Sequence, residues 1–255
     1  MVEIKTDAAM DAMREAGRVV ARALAAAREA AGVGVSLREL DEAARAVLAE
    51  AGADSPFLGY RPSFAATPFP AVLCASVNDA VVHGVPTDHR LRDGDLVSLD
   101  CGARLDGWTG DAAVSFTVGT PRPADRELID ATRRALAAGV AAAQAGGRLG
   151  DISHAVDTVA RQAGCGMPAD FGGHGIGRSM HEDPHVPNRG RPGRGFPLRH
   201  GLVLAIEPMF MAGGRNAYRT GADGWTLLTT DGSRAAHVEH TVAVTDQGPR
   251  ILTLP

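Results

Sequence analysis

The sequence predicts an α+β protein in which helices pack outside a curved, mainly antiparallel sheet. Three observations carry that reading. Two helical patterns followed by strand patterns occur twice along the chain. The two halves resemble each other residue by residue. Strand-like segments place acidic residues where a sheet normally holds uncharged ones.

Taken in order, residues 6–31 carry Ala, Met, Val and Leu at helical spacing behind Thr6 and Asp7, which predicts a long first helix. Ser36 and Glu39 form a capping-box pattern that opens a second helix, ending near Gly52. Residues 54–70 are rich in aromatics and proline and lack a regular period, as expected of a loop that packs onto the body or lines a pocket. Residues 71–85 read as two short strands around an Asn78-Asp79 turn. A hairpin follows, with arms Leu96 to Cys101 and Ala112 to Val118 and a turn at Asp106-Gly107. The second half begins with a helix over 121–146 and another over 151–163. Glycine-rich and then basic loops lead into the strands that hold Glu207 and Glu239.

Asp100 and Asp111 lie on the two arms of the hairpin. Neighbouring carboxylates repel, and burying them costs several kcal/mol unless a cation intervenes. For one such pair, a turn cap and a solvent-facing side chain would serve equally well. The second copy decides. Leu91–Asp100 (LRDGDLVSLD) aligns with Leu198–Glu207 (LRHGLVLAIE), so Asp100 falls on Glu207. The segment from Gly110 aligns with that from Val238, placing Asp111 on Glu239, and Gly34 onward aligns with Gly146 onward. Each half therefore offers two acids to a shared centre. Four carboxylates match the charge of two divalent ions, with neutral His174, set among glycines in GGHGIG, completing one coordination sphere. Two ions about 3.5–4 Å apart can share a hydroxide and stabilise the tetrahedral intermediate of amide hydrolysis. This donor set suits Mn²⁺, Fe²⁺ or Co²⁺ as well as Zn²⁺.

Composition excludes other classes. The chain has 255 residues, 45% hydrophobic, enough for a large core, and a net charge of −4 without a long charged block. Neither nucleic acid nor membrane is an expected partner: the basic stretch 189–199 reads as a solvated loop, and no apolar run nears the ~20 residues of a bilayer span. Three scattered cysteines, Cys74, Cys101 and Cys165, suit reduced thiols. The N-terminus lacks a signal-peptide profile, so a cytoplasmic protein is expected. Lys5 is the only lysine.

With these residues in view, the chain resembles the type I methionine aminopeptidases of the pita-bread fold. The motifs are SVNDAVVHGVP at Ser76, Asp100 and Asp111, GHGIGRSMHEDPHV at Gly173, IEPMF at Ile206 and VEHTVAVT at Val238. The resemblance implies one catalytic domain over 1–255, with halves of about 1–120 and 121–255. It implies that Asp111 and Glu239 bridge two metals, that Asp100 holds one, and that His174 and Glu207 hold the other. A water bridging the two ions would attack the peptide, with Glu207 shuttling the proton. His83 would assist the leaving group, and His181 would stabilise the oxyanion. Tyr60, Phe69, Cys74, Met180 and Trp225 fall at methionine-pocket positions, as do Phe57 and Phe64. Met180 stands where the family commonly has an aromatic, and Phe69 where it has a tyrosine. Nascent N-termini with a small second residue are the expected substrates, met by a monomer near the ribosome. Proline-directed aminopeptidases and prolidases share the five ligands but usually carry an extra N-terminal domain, and here the start of the chain already belongs to the repeat. Non-catalytic peptide-binding relatives typically have substituted ligands.

Overall fold

The computed structural model describes residues 2–255 apart from residue 64, so Phe64 lies outside the described residues. Helix α1 spans Asp7–Ala30, with the Thr6 hydroxyl accepting from the Ala9 amide. Helix α2 spans Leu37–Glu50, opened by the complete Ser36/Glu39 capping box. Strands β1 (Leu73–Val77), β2 (Ala80–Val82), β3 (Leu96–Leu105) and β4 (Trp108–Thr117) complete the first half.

The second half opens with α3 (Pro123–Ala142) and α4 (Leu149–Gln162). Strands β5 (Gly172–Gly175), β6 (Glu182–Pro187), β7 (Val203–Ile206), β8 (Met209–Met211) and β9 (Tyr218–Thr220) follow. Then come β10 (Leu227–Thr229), β11 (Ala235–His237), β12 (Glu239–Thr245) and β13 (Gly248–Ile251). Among the described residues no helix is long and apolar enough to cross a membrane.

The main sheet runs β1-β3-β4-β12-β7-β5-β6, with β13 also on β12, and its described pairings are antiparallel. Its middle seam joins β4 to β12, with Ala113 opposite Glu239 and Ala112 opposite His240. On either side of that seam the order mirrors itself, which is the sequence repeat expressed as a pseudo-two-fold. The match extends to the backbone. Both α2 and α4 have 14 residues, and Gly34 and Gly146 before them share a φ of 89°. The isolated bridge Ser36↔Arg90 recurs as Arg148↔Pro197. The second capping box is only half kept, with the Arg148 amide donating to Asp151.

Two details differ from the sequence reading. The hairpin arms reach Leu105 and Trp108, because the Asp106-Gly107 turn, with both residues at positive φ, closes a two-residue loop. The strands flanking Asn78-Asp79 do not pair with each other: β1 joins β3 in the main sheet, whereas β2 joins β10 in a separate three-stranded sheet.

Each helix pair covers its own half of the sheet. Val20, Leu24, Leu40 and Leu48 pack on Leu73, Val97, Leu99 and Cys101, while Leu136, Leu149 and Ile152 pack on Leu204, Ile206, Val242 and Val244. Burying such side chains gives roughly 1.5–3 kcal/mol each and fixes the sheet's curvature against the helices. Close approach of α1 to β4 needs glycine: a Cβ on Gly110 would lie 3.0 Å from the Gly17 backbone. The opposite face of the sheet is left for the site.

Candidate metal centre and substrate cavity

On β3 and β4, Asp100 pairs with Ala113 and Asp111 with Gly102. The two acids are therefore diagonal neighbours on one face rather than directly opposite, as simple facing arms would have placed them. Glu239 begins β12, and Glu207 follows the last residue of β7. The backbone of Asp111 is locked across the seam: its amide donates to Thr241 Oγ1 at 2.9 Å, and that hydroxyl donates to the Asp111 carbonyl at 2.8 Å.

Two imidazoles face these acids. His174 lies on β5, and its Nδ1 is 2.9 Å from the Gly175 carbonyl, an arrangement that assigns the proton to Nδ1 and leaves the Nε2 lone pair free. That nitrogen is 3.5 Å from Glu207 Oε1 and 3.9 Å from Asp111 Oδ2. His237, at the end of β11, has Nε2 at 3.6 Å from Glu239 Oε2 and 4.0 Å from Asp100 Oδ2. Ligand atoms of Asp111, His174 and Glu239, and likewise of Asp100, His237 and Glu239, come within 4.8 Å of one another. Among the described residues, imidazole nitrogens are the basic groups found within 4.0 Å of these four carboxylates.

Electrostatics show the cost. Burial, then repulsion from Glu239, raises Asp100 to about 7, and burial raises Glu239 to about 8. Asp111 and Glu207 are pushed well above the carboxylate range by burial and then by neighbouring acids. Burial depresses His174 to about 3, holding it neutral. Buried oxygens Asp100 Oδ1, Asp111 Oδ1 and Glu239 Oε1 have no hydrogen-bond partner. Orphaned oxygens on converging acids beside a neutral imidazole are what a divalent cation requires, and this donor set fits one.

A cavity of about 370 Å³ opens onto the carboxylates. Phe57, Tyr60, Phe69, Cys74, Met180 and Trp225 line it, together with His83 and His181. Phe69 meets Trp225 edge-on at 5.2 Å, and the Trp225 indole N–H donates to the Thr67 carbonyl at 3.1 Å, fixing the irregular loop against the cavity. Tyr60 is at the rim, 37% exposed, with its ring 5.2 Å from that of His181. Burial, reinforced by Asp100 and Asp111, keeps the Cys74 thiol protonated, a soft apolar surface rather than a nucleophile.

His83 follows β2 with a φ of 59°, a left-handed conformation that costs a non-glycine residue on the order of 1 kcal/mol and aims the ring at the cavity. Its Nδ1 is buried without a partner, and burial lowers it to about 4. His181 lies 4.4 Å from His174, ring to ring, and burial lowers its pKa as well.

Around one cavity the structure places the described residues singled out in the sequence, Phe64 lying outside them, and His237 stands beside the acids as well. The signal for His237 was present: in His237-Val238-Glu239 an extended chain turns residues 237 and 239 to one side.

The sequence profile of metallopeptidase family M24 matches residues 11–246. Methionine aminopeptidase 1 of Mycobacterium tuberculosis is 55% identical over 252 residues, covering 96% of this chain and 92% of that protein. The chain belongs to family M24, among the methionine aminopeptidases. The crystal structure of methionine aminopeptidase from Thermotoga maritima superposes with a TM-score of 0.94 at 38% identity over the whole of both chains. Prolidase from Pyrococcus furiosus, at 23% identity and a TM-score of 0.77, covers 99% of this chain but only 65% of its own, and shows the shared pita-bread fold. Divalent metal dependence accords with the family and with the acid and imidazole cluster.

Proposed function

We propose that this protein removes N-terminal methionine from newly made polypeptides with a small second residue. One observation carries the reading: orphaned acids and a neutral imidazole form the end of an apolar cavity lined by Met, Cys and aromatic side chains. Asp100, Asp111, His174, Glu207 and Glu239 would hold two divalent ions, whose identity we leave among Mn²⁺, Fe²⁺, Co²⁺ and Zn²⁺. The ions, when bound, supply Lewis acidity to the scissile carbonyl and ready a water for attack.

The chain's own groups do the rest. Tyr60, Phe69, Cys74, Met180 and Trp225 surround an unbranched thioether side chain. Glu207, ionised once divalent ions offset the neighbouring acids, takes a proton from the attacking water and passes it on. His83 protonates the departing amine, and His181 donates a hydrogen bond to the carbonyl oxygen as charge develops there. The whole chain acts as one catalytic unit, since each half supplies two of the four acids. Cytoplasmic action on nascent chains follows from that substrate.

The test is a panel of Met-Xaa and Xaa-Pro peptides assayed with each ion. Metal-dependent release of methionine when Xaa is small supports the proposal, and a preference for Xaa-Pro cleavage refutes it.

A further inference from the structure

His237 has no part in the ligand set above, yet it is 1% exposed, and neither of its ring nitrogens makes a hydrogen bond. Its backbone is held firmly. Ser115 Oγ donates to the His237 carbonyl at 2.6 Å, and the His237 amide reaches Ser115 Oγ at 3.0 Å and Ser98 Oγ at 3.2 Å. Ser98 and Ser115 are a cross-strand pair of the hairpin, and Ser98 shares its side of β3 with Asp100. The same two strands that carry Asp100 and Asp111 therefore set the position of this ring.

The ring is absent from the walls of the cavity, so it stands behind the acids rather than among the groups that meet a ligand. It faces Glu239 Oε2 and Asp100 Oδ2, while the other oxygen of each acid, Oε1 and Oδ1, is buried without a partner. One oxygen of each carboxylate is turned to the imidazole, and one is left for an ion.

We propose that His237 is a positioning residue for the metal centre: its Nε2 edge stands behind Oε2 of Glu239 and Oδ2 of Asp100 and, by donating to them once ions are bound, aims their remaining oxygens at the ions. This rests on the two-ion reading. Such outer support orients first ligands and strengthens binding, typically 10- to 100-fold.

Calorimetric titration of the metal-free protein with Co²⁺ tests it. In His237→Leu the affinity of one of the two ions should fall about 10- to 100-fold, while His237→Gln, which keeps an N–H donor, should stay within about threefold of the parent. Unchanged affinity in His237→Leu, or no recovery in His237→Gln, overturns the proposal. In the Co²⁺-loaded parent, one exchangeable imidazole N–H signal shifted by direct ligation, that of His174, is expected. A second such signal would make His237 itself a ligand and also overturn it, independently of how the variants fold. If the parent binds no Co²⁺ at all, the two-ion reading fails instead, and the inference with it.

Discussion

The single lysine of the chain, Lys5, places its Nζ 2.5 Å from Glu182 Oε2, next in sequence to His181. The lysine side chain is 2% exposed and the glutamate 15%, and the other glutamate oxygen accepts from the Ser179 amide. A segment ahead of α1 thus anchors the loop that carries His181. Removing one partner of a pair this sheltered leaves a charge without compensation, which costs about 3 kcal/mol. Lys5→Met should lower the thermal midpoint by several degrees and reduce kcat while leaving metal content unchanged, as measured by melting, peptide turnover and elemental analysis.

Glu207→Gln should lower kcat by about 10²–10⁴ on Met-Gly-type peptides if Glu207 is the proton carrier proposed above. Activity near that of the parent would remove Glu207 from the mechanism. His174→Ala should abolish turnover and weaken metal uptake together.

Replacing His83 separates chemistry from ion binding. His83→Ala should cut kcat about 10²-fold with little change in Co²⁺ affinity, since the ring lines the cavity and joins neither cluster of candidate ligand atoms. Alanine keeps the Cβ that makes φ 59° costly, so the backbone strain stays and any change in melting reports the loss of the ring alone.

The metal-free protein should lose stability as pH rises above 7. Asp100 and Glu239 titrate near 7 and 8 in the fold, above their ordinary values of 3.8 and 4.5. Between those limits the folded state therefore binds more protons than the unfolded chain, and each acid favours folding less as it ionises. Below about pH 6.5 the buried neutral His83 and His174 act in the opposite sense, so the window lies above pH 7: with a chelator the midpoint should be lower at pH 8.5 than at pH 7, and Mn²⁺ should restore it at pH 8.5. A midpoint that rises across that window in the chelated protein would contradict the burial of these acids.

Opposite Asp111, Gly102 leaves room that the cavity uses. A Cβ there would lie 2.8 Å from Pro56, 3.0 Å from Phe57 and 3.3 Å from Met180. Gly102→Ala should push Phe57 and Met180 into the cavity and raise KM for methionyl peptides about tenfold, whereas metal stoichiometry should hold.

The helices, the hairpin and the four acids were legible because each has a local or repeated signature: the Ser36/Glu39 box, the Asp106-Gly107 turn, the alignment of Asp100 with Glu207. The short strands β8, β9 and β11 were not, since three residues are too few to establish a period. Partnering was hidden too, and β1 and β2 read as a simple pair until the tertiary fold separated them. His237 escaped for a related reason: its value comes from Ser98 and Ser115, 139 and 122 residues away in sequence.

The lock between Asp111 and Thr241 spans 130 residues. Loop closure over that length is entropically demanding, and contacts of this kind slow folding. Any partly formed chain that lacks the central seam keeps the acids of its two halves apart and solvated, without the converging donors that a divalent ion needs. Hydrolytic competence therefore arises only at the closing of the molecule, and half-built intermediates have no power to cut the peptides around them.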